Sequence, residues 1–305
     1  MNKGLLISLL LIALPIVAAG QNTEHSKRSI YPKIYSYHVD RGPVLDLSTL
    51  KNSSCSPIHG IDSTITAYMQ RHHIVGASLA VMRNDSLLYV KGYGFADKEA
   101  GERMEPWHRM RVASVSKLVT AVGIMKLVEQ RRIELSDSVF AKGGVLEYMV
   151  PPVHDRRLES ITVEHMLRHQ GGFTCKGGDP MFKVGAVDEE EVCCKVLGMP
   201  LDFTPGTDQD YSNVGYYLLG RIISTVTGYS YEEWTRRYVL SPLQCNDFSM
   251  GGNYLRDRQD REVRYYMFPG AKMEEDFHGG GVMCETCYGG NNVKGLEGAG
   301  GWITC

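Results

Sequence analysis

The chain has 305 residues, enough for one large domain or two modest ones. Its 33 basic and 35 acidic residues leave a formal net charge of −2, so no general pull toward nucleic acid or an anionic membrane surface is expected. With 22% charged and 43% apolar residues, the composition is that of a folded globule and excludes a disordered chain, a collagen-like repeat and a polytopic membrane protein.

In chain order, residues 1–20 read as an export leader. Lys3 is followed by a nearly unbroken apolar run from Gly4 to Val17, and the small residues Ala18, Ala19 and Gly20 offer a cleavage site. A retained anchor is the alternative, but the run is short for a membrane span. Cleavage would leave no stable span and place the protein in the periplasm or outside the cell. Residues 21–57 are polar, without sustained periodicity, and read as a linker; the globular domain is expected over 58–305.

Ile61 to Arg71 has the apolar spacing of a helix. Gly76–Met82 and Leu87–Tyr93 flank Arg83-Asn-Asp-Ser86, the pattern of two strands and a tight turn. Ser114 to Val128 carries apolar residues on nearly every face and is expected to be a buried helix. Further helices are expected over Thr162–His169, Asn213–Val226 before Gly228, and Tyr231–Val239 before Pro242. From about Asp257 the sequence is loop- and strand-like and rich in glycine. Strands, then a helical section, then mixed structure predict an α+β fold of two lobes, with an all-helical lobe inserted into an antiparallel sheet lobe.

Two short motifs carry candidate chemistry. Ser114-Val-Ser-Lys117 opens the expected buried helix, and positions i and i+3 share a helix face, so hydroxyl and amine can meet. A serine hydroxyl needs a neighbour to take its proton, and a buried lysine serves because low dielectric disfavours the ammonium. Backbone N–H groups at the helix start can face a developing oxyanion. Ser-x-x-Lys arises by chance about once in a chain this long. Ser48-Thr-Leu-Lys51 has the same spacing, but it lies in the polar linker. The second motif, Tyr211-Ser-Asn213, precedes another helix. A phenol near a lysine can share a proton with it, and an asparagine amide can hold both the lysine and a substrate carbonyl. Taken alone, Ser114 could be a helix cap, Tyr211 a core aromatic and Asn213 a second cap.

These blocks resemble the superfamily of serine beta-lactamases and penicillin-binding proteins, in its class C-type branch. The resemblance runs from about Ile61 to Cys305. It rests on Gly76-Ala-Ser-Leu-Ala-Val81, Gly92-Tyr-Gly-Phe-Ala-Asp97, Ala113-Ser-Val-Ser-Lys117, Ile161-Thr-Val-Glu-His-Met-Leu-Arg-His169, Pro205-Gly206, Tyr211 to Gly220, Pro242-Leu243 and Gly300-Gly-Trp302. It implies a beta-lactamase/transpeptidase-like fold and a serine hydrolase acylated at Ser114, with Lys117 and Tyr211 as the acid–base pair and Asn213 holding substrate. The implied substrates are a peptidoglycan stem peptide, a beta-lactam or a small ester. No metal, organic cofactor or nucleic acid is implied, and a monomer is expected.

Two departures qualify the resemblance. His169-Gln-Gly-Gly172 stands where the family often has His-Thr-Ser-Gly, and His169 reads as a structural histidine. The family's third motif, Lys-Thr-Gly or His-x-Gly on a strand after the Gly-Gly-Trp block, has no clear counterpart. His278-Gly-Gly280 matches by letter but precedes that block, within a glycine run. The chain is therefore expected to lack C-terminal strands of its sheet. The alternative function is an inactive fragment, or a non-catalytic peptidoglycan-binding or sensing relative. A third possibility, a redox or metal module, rests on Cys284-Glu-Thr-Cys287 alone; free thiols or a local disulfide explain that pair better. No disulfide pairing among the eight cysteines follows from the sequence.

Overall fold

The computed structural model describes residues 59–84, 86–173 and 177–305. The expected leader, the linker and Ser48 lie outside the described residues, as do Cys55 and Cys175. The chain begins with helix α1 (His59–His72) and the strands β1 (Gly76–Arg83) and β2 (Ser86–Asp97). These strands pair antiparallel from Gly76 opposite Gly94 to Arg83 opposite Ser86, with a register shift between Val81 and Met82. The short strand β3 (Glu102–Arg103) joins the far end of β2. On the α1 side, Asp62 Oδ1 accepts from Tyr89 and Tyr93 hydroxyls and from Lys91 at 2.7–2.9 Å.

Strand β4 (Met110–Arg111) leads through a tight 3-10 turn, Ala113–Val115, into α2 (Ser116–Glu129). The helical section follows with α3 (Val163–Leu167), α4 (Glu189–Leu197), α5 (Asn213–Thr227) and α6 (Tyr231–Thr235), which runs on as a π turn over Arg236–Leu240. Local chemistry sets these boundaries. Thr162 and His165 form a reciprocal cap at the start of α3. Ser212 Oγ accepts from Gly215 N at 3.1 Å at the start of α5, and Gly228 ends that helix in the left-handed conformation, φ 77°.

The chain then returns to sheet in pieces of two or three residues: β5 (Ser249–Met250), β6 (Glu274–Glu275), β7 (Met283–Cys284) and β8 (Trp302–Thr304). Strand β8 lies between β4 and β5, antiparallel to both, so the last residues staple the segment before α2 to the segment after α6. These pieces are too short to show an alternating pattern, which is why the sequence beyond Asp257 reads as loop. The order sheet, helical insertion, sheet is the one expected.

The largest core is helical. Ile124 and Leu127 of α2 pack with Leu218, Leu219, Ile222 and Ile223 of α5, and with Trp234 and Trp302. Helix α2 departs from the expectation of burial all round. Val115, Leu118, Val122 and Met125 are exposed, Leu118 at 67%. Beside Gly123, Ile124 and Leu127, the buried face carries polar Ser116, Lys117 and Thr120. Each has a partner that the sequence pattern cannot show. Ser116 Oγ accepts from Trp302 N at 3.3 Å, and Thr120 Oγ1 donates to Gly298 O at 2.8 Å. No described helix is long and apolar enough to cross a membrane.

Candidate active site

Ser114 lies at the bend between β4 and α2. Val112 N donates to Trp302 O at 3.0 Å, which ties the approach to β8. Ala113 then takes a left-handed backbone, φ 45°, a strain of about 1–2 kcal/mol for a non-glycine residue. The bend leaves Ser114 exposed while Lys117, one turn on, points inward and is only 6% exposed.

Lys117 Nζ has three oxygen neighbours: Asn213 Oδ1 at 2.6 Å, Ala299 O at 2.5 Å and Ser114 Oγ at 3.3 Å. The Tyr211 and Tyr216 rings stand 4.8 and 5.6 Å away. Burial lowers the ammonium from its ordinary range to about 8, against the opposing pull of the Asp179 carboxylate. Tyr211 OH lies 2.6 Å from Ser114 Oγ. Burial raises the phenol and Asp179 adds to the rise, while the Ser114 hydrogen bond opposes it.

His169 supports Tyr211 from behind. Its ring stacks on Tyr211 at 4.7 Å and lies 4.9 Å from the Tyr216 ring. Its Nδ1 accepts from Ser212 N at 3.1 Å, and its carbonyl accepts from Asp210 N at 3.0 Å, so His169 clasps both neighbours of Tyr211. Burial and the nearby Lys117 lower the imidazole to about 4, which keeps it neutral and able to accept that bond. The expectation of a structural histidine fits, and the structure it maintains is that of the site.

Ser114, Lys117, Tyr211 and Asn213, singled out from the sequence, thus converge on one hydrogen-bonded group. Asn213 is nearly buried, and its Nδ2 donates to Asp179 Oδ2 at 2.8 Å. Both ends of its amide are therefore engaged within the protein. Sequence reasoning missed Asp179 and the Ala299 carbonyl. Asp179 precedes Pro180 in a run that reads only as a turn. Ala299 adjoins the Gly300-Gly-Trp302 block, but a backbone oxygen leaves no residue signal. His278 joins a different group: its Nδ1 lies 2.8 Å from Asp276 Oδ1 and 3.0 Å from Tyr254 OH. Cys284 and Cys287 are both free thiols, and the described residues include no group of three or more His, Cys, Asp or Glu able to hold a metal ion.

The sequence matches the family described as Beta-lactamase over residues 61–305. The chain belongs to the beta-lactamase family. Among its relatives, Protein flp of Staphylococcus aureus (strain MW2) is 30% identical over 205 residues, 66% of this chain and 40% of flp. Esterase EstB of Burkholderia gladioli is 26% identical over 215 residues, 67% of this chain and 54% of the esterase. The octameric penicillin-binding protein homologue from Pyrococcus abyssi superposes with a TM-score of 0.59 at 26% identity, covering 82% of this chain and 54% of that one. This beta-lactamase family chain thus spans about half, or less, of the length of these relatives. The shared fold is the beta-lactamase/transpeptidase-like arrangement of helices and antiparallel sheet expected from the motifs.

Proposed function

We propose that this protein is a serine hydrolase that forms an acyl-enzyme at Ser114 on an amide or ester. One observation carries the reading: the set of neighbours around Lys117 Nζ. Asn213 Oδ1 and Ala299 O can only accept hydrogen bonds. A neutral amine has two N–H bonds for those two oxygens, and its lone pair is left for the Ser114 hydroxyl. Burial makes that neutral form accessible near pH 8.

In the proposed reaction Lys117 Nζ takes the proton of Ser114 as Oγ bonds to the substrate carbonyl carbon. The carbonyl π pair moves onto oxygen, and the Ser114 N–H at the start of the 3-10 turn provides one donor to it. Collapse breaks the bond to the leaving amine or alkoxide, which takes a proton from Tyr211 OH; Lys117 returns one to Tyr211. Water then attacks the ester at Ser114, and the same groups work in reverse. The substrate class is the one the family resemblance implies: a D-alanyl-D-alanine stem peptide, a beta-lactam or a small ester. The EstB likeness keeps the ester among them. An export leader over residues 1–20 would put this activity in the periplasm or outside the cell, where peptidoglycan peptides are met.

A non-catalytic peptidoglycan-binding relative is the second reading. Its support is His278, the letter match to the third motif, which is held by Asp276 and Tyr254 instead of joining the Ser114 group. Gel labelling with a fluorescent penicillin and a fluorophosphonate separates the two. Covalent label that survives Ser48→Ala and disappears in Ser114→Ala is expected. Equal labelling of wild type and Ser114→Ala, or no label on a folded wild-type chain, would remove the acyl-enzyme.

A further inference from the structure

We infer that Asp179 is a positioning residue for the Ser114 group, acting through Asn213 to aim the Lys117 amine at the Ser114 hydroxyl. This rests on the serine-hydrolase reading for its purpose, but the geometry stands apart from it. An asparagine amide has two faces of similar shape, one a donor and one an acceptor. Only the acceptor face suits Lys117, because its donor face would oppose the lysine N–H bonds. The Asp179 carboxylate decides between them. It has acceptors and no donor, so the Nδ2 side turns toward it, at 2.8 Å, and Oδ1 is left for Lys117 at 2.6 Å. Asp179 is itself anchored: its Oδ1 accepts from Met181 N at 2.9 Å, capping the turn Pro180–Phe182. With Asn213 Oδ1 and Ala299 O holding the two N–H bonds, the lone pair of the neutral amine has Ser114 Oγ, at 3.3 Å, as its remaining partner.

The carboxylate also acts by its charge. The groups facing Lys117 are the rings of Tyr211 and Tyr216, the neutral His169, the Asn213 amide and the Ala299 carbonyl, with Asp179 beyond the amide. Burial favours the neutral amine and Asp179 opposes it. Asp179 therefore sets direction and at the same time holds the amine closer to its ordinary basicity. The two roles separate by substitution. Asparagine at 179 keeps one acceptor oxygen, which can face Asn213 Nδ2 only by giving up the Met181 N bond, and it carries no charge. Alanine keeps no acceptor.

The test uses the whole chain with ε-13C-labelled lysine. The Lys117 resonance is followed against pH in wild type, Asp179→Asn and Asp179→Ala, beside the rate of Ser114 acylation by a fluorescent penicillin. In Asp179→Asn the Lys117 titration and the rising limb of acylation should move together to lower pH, with the plateau rate falling less than in Asp179→Ala. In Asp179→Ala the plateau should fall about 10- to 100-fold, the range expected for losing one hydrogen bond to a charged group, with little change in the penicillin concentration giving half-maximal rate. Partial rescue by asparagine distinguishes positioning from mere support of the fold, and Asp179→Asn remains informative if Asp179→Ala fails to fold. An unmoved Lys117 titration in Asp179→Asn, or an unchanged plateau in a folded Asp179→Ala, would overturn the inference. A wild type that takes no label, with the Lys117 shift still present in Asp179→Asn, would leave Asp179 its role and count against the acyl-enzyme instead.

Discussion

The Tyr211 hydroxyl lies 2.6 Å from the Ser114 hydroxyl, although 97 residues separate the two in the chain. The contact joins the loop before α5 to the bend before α2, and it is braced on both sides. His169 stacks against the Tyr211 ring, and Lys117 lies under it at 4.8 Å. The phenol is therefore held within hydrogen-bond reach of Ser114, as the proposed proton transfer requires.

Removing that hydroxyl alone tests its part. Tyr211→Phe keeps the ring and its stack on His169, so thermal stability should change little. Acylation of Ser114 should fall by about 10²–10⁴-fold, the usual worth of a positioned acid–base group. Stopped-flow acylation with a chromogenic cephalosporin or ester reads the rate, and a loss below tenfold would take Tyr211 out of proton transfer.

Lys117 makes a prediction about pH in both rate and stability. In the proposed mechanism acylation needs the neutral amine, so its rate should rise through about pH 8 and then level. Lys117→Arg should be nearly inactive at every pH, because a guanidinium stays protonated. For stability, the ordinary value is 10.5 and the folded value about 8, so between them the unfolded chain binds more protons than the folded one. The penalty of burying Lys117 is thus full below about pH 8 and fades toward 10.5. Urea unfolding of wild type against Lys117→Met should show wild type gaining relative stability across that window; a constant difference would mean that Lys117 is not depressed.

Gly298 allows the C-terminal segment to reach Lys117. A Cβ there would lie 2.8 Å from Thr120 Oγ1 and 3.1 Å from Tyr216 O, against α2 and α5 together. Gly298→Ala should push the turn Glu297–Ala299 outward and draw the Ala299 carbonyl from Lys117. A loss of about 1–3 kcal/mol is expected from such overpacking, together with slower acylation. Gly60→Ala in α1 is the control, since its Cβ meets nothing and alanine favours a helix. Equal unfolding midpoints for the two variants would contradict the close approach.

How much of this was legible in the sequence differs from element to element. Helix α5 and the β1–β2 hairpin were readable, because each is long enough for its period and is bounded by a local signal, Gly228 in one case and a polar turn in the other; the cap of α5 is Ser212, one residue before the Asn213 offered from the sequence. Ser114 and Lys117 were paired by helix geometry alone, and Tyr211 and Asn213 by their place at the start of α5. Local rules also led to the expectation that α2 is buried all round. Its apolar Leu118, Val122 and Met125 are exposed while Ser116, Lys117 and Thr120 are buried, since a hydrogen bond from Trp302 N and the carbonyl acceptors of Gly298 and Ala299 compensate these polar groups.

The sequence by itself determined the family, the order of sheet and helical segments, and the four side chains that meet at the site, because these depend on residue type and short spacings. Tertiary structure alone decided how they are aimed. Asp179 turns the Asn213 amide, His169 holds Tyr211, and the Ala299 carbonyl takes one Lys117 N–H. These contacts bridge 34 residues between Asp179 and Asn213 and 182 between Lys117 and Ala299. Over such separations no local propensity acts. Direction is set only when packing brings a donor and an acceptor together out of water, where leaving either unpaired costs about 1–3 kcal/mol.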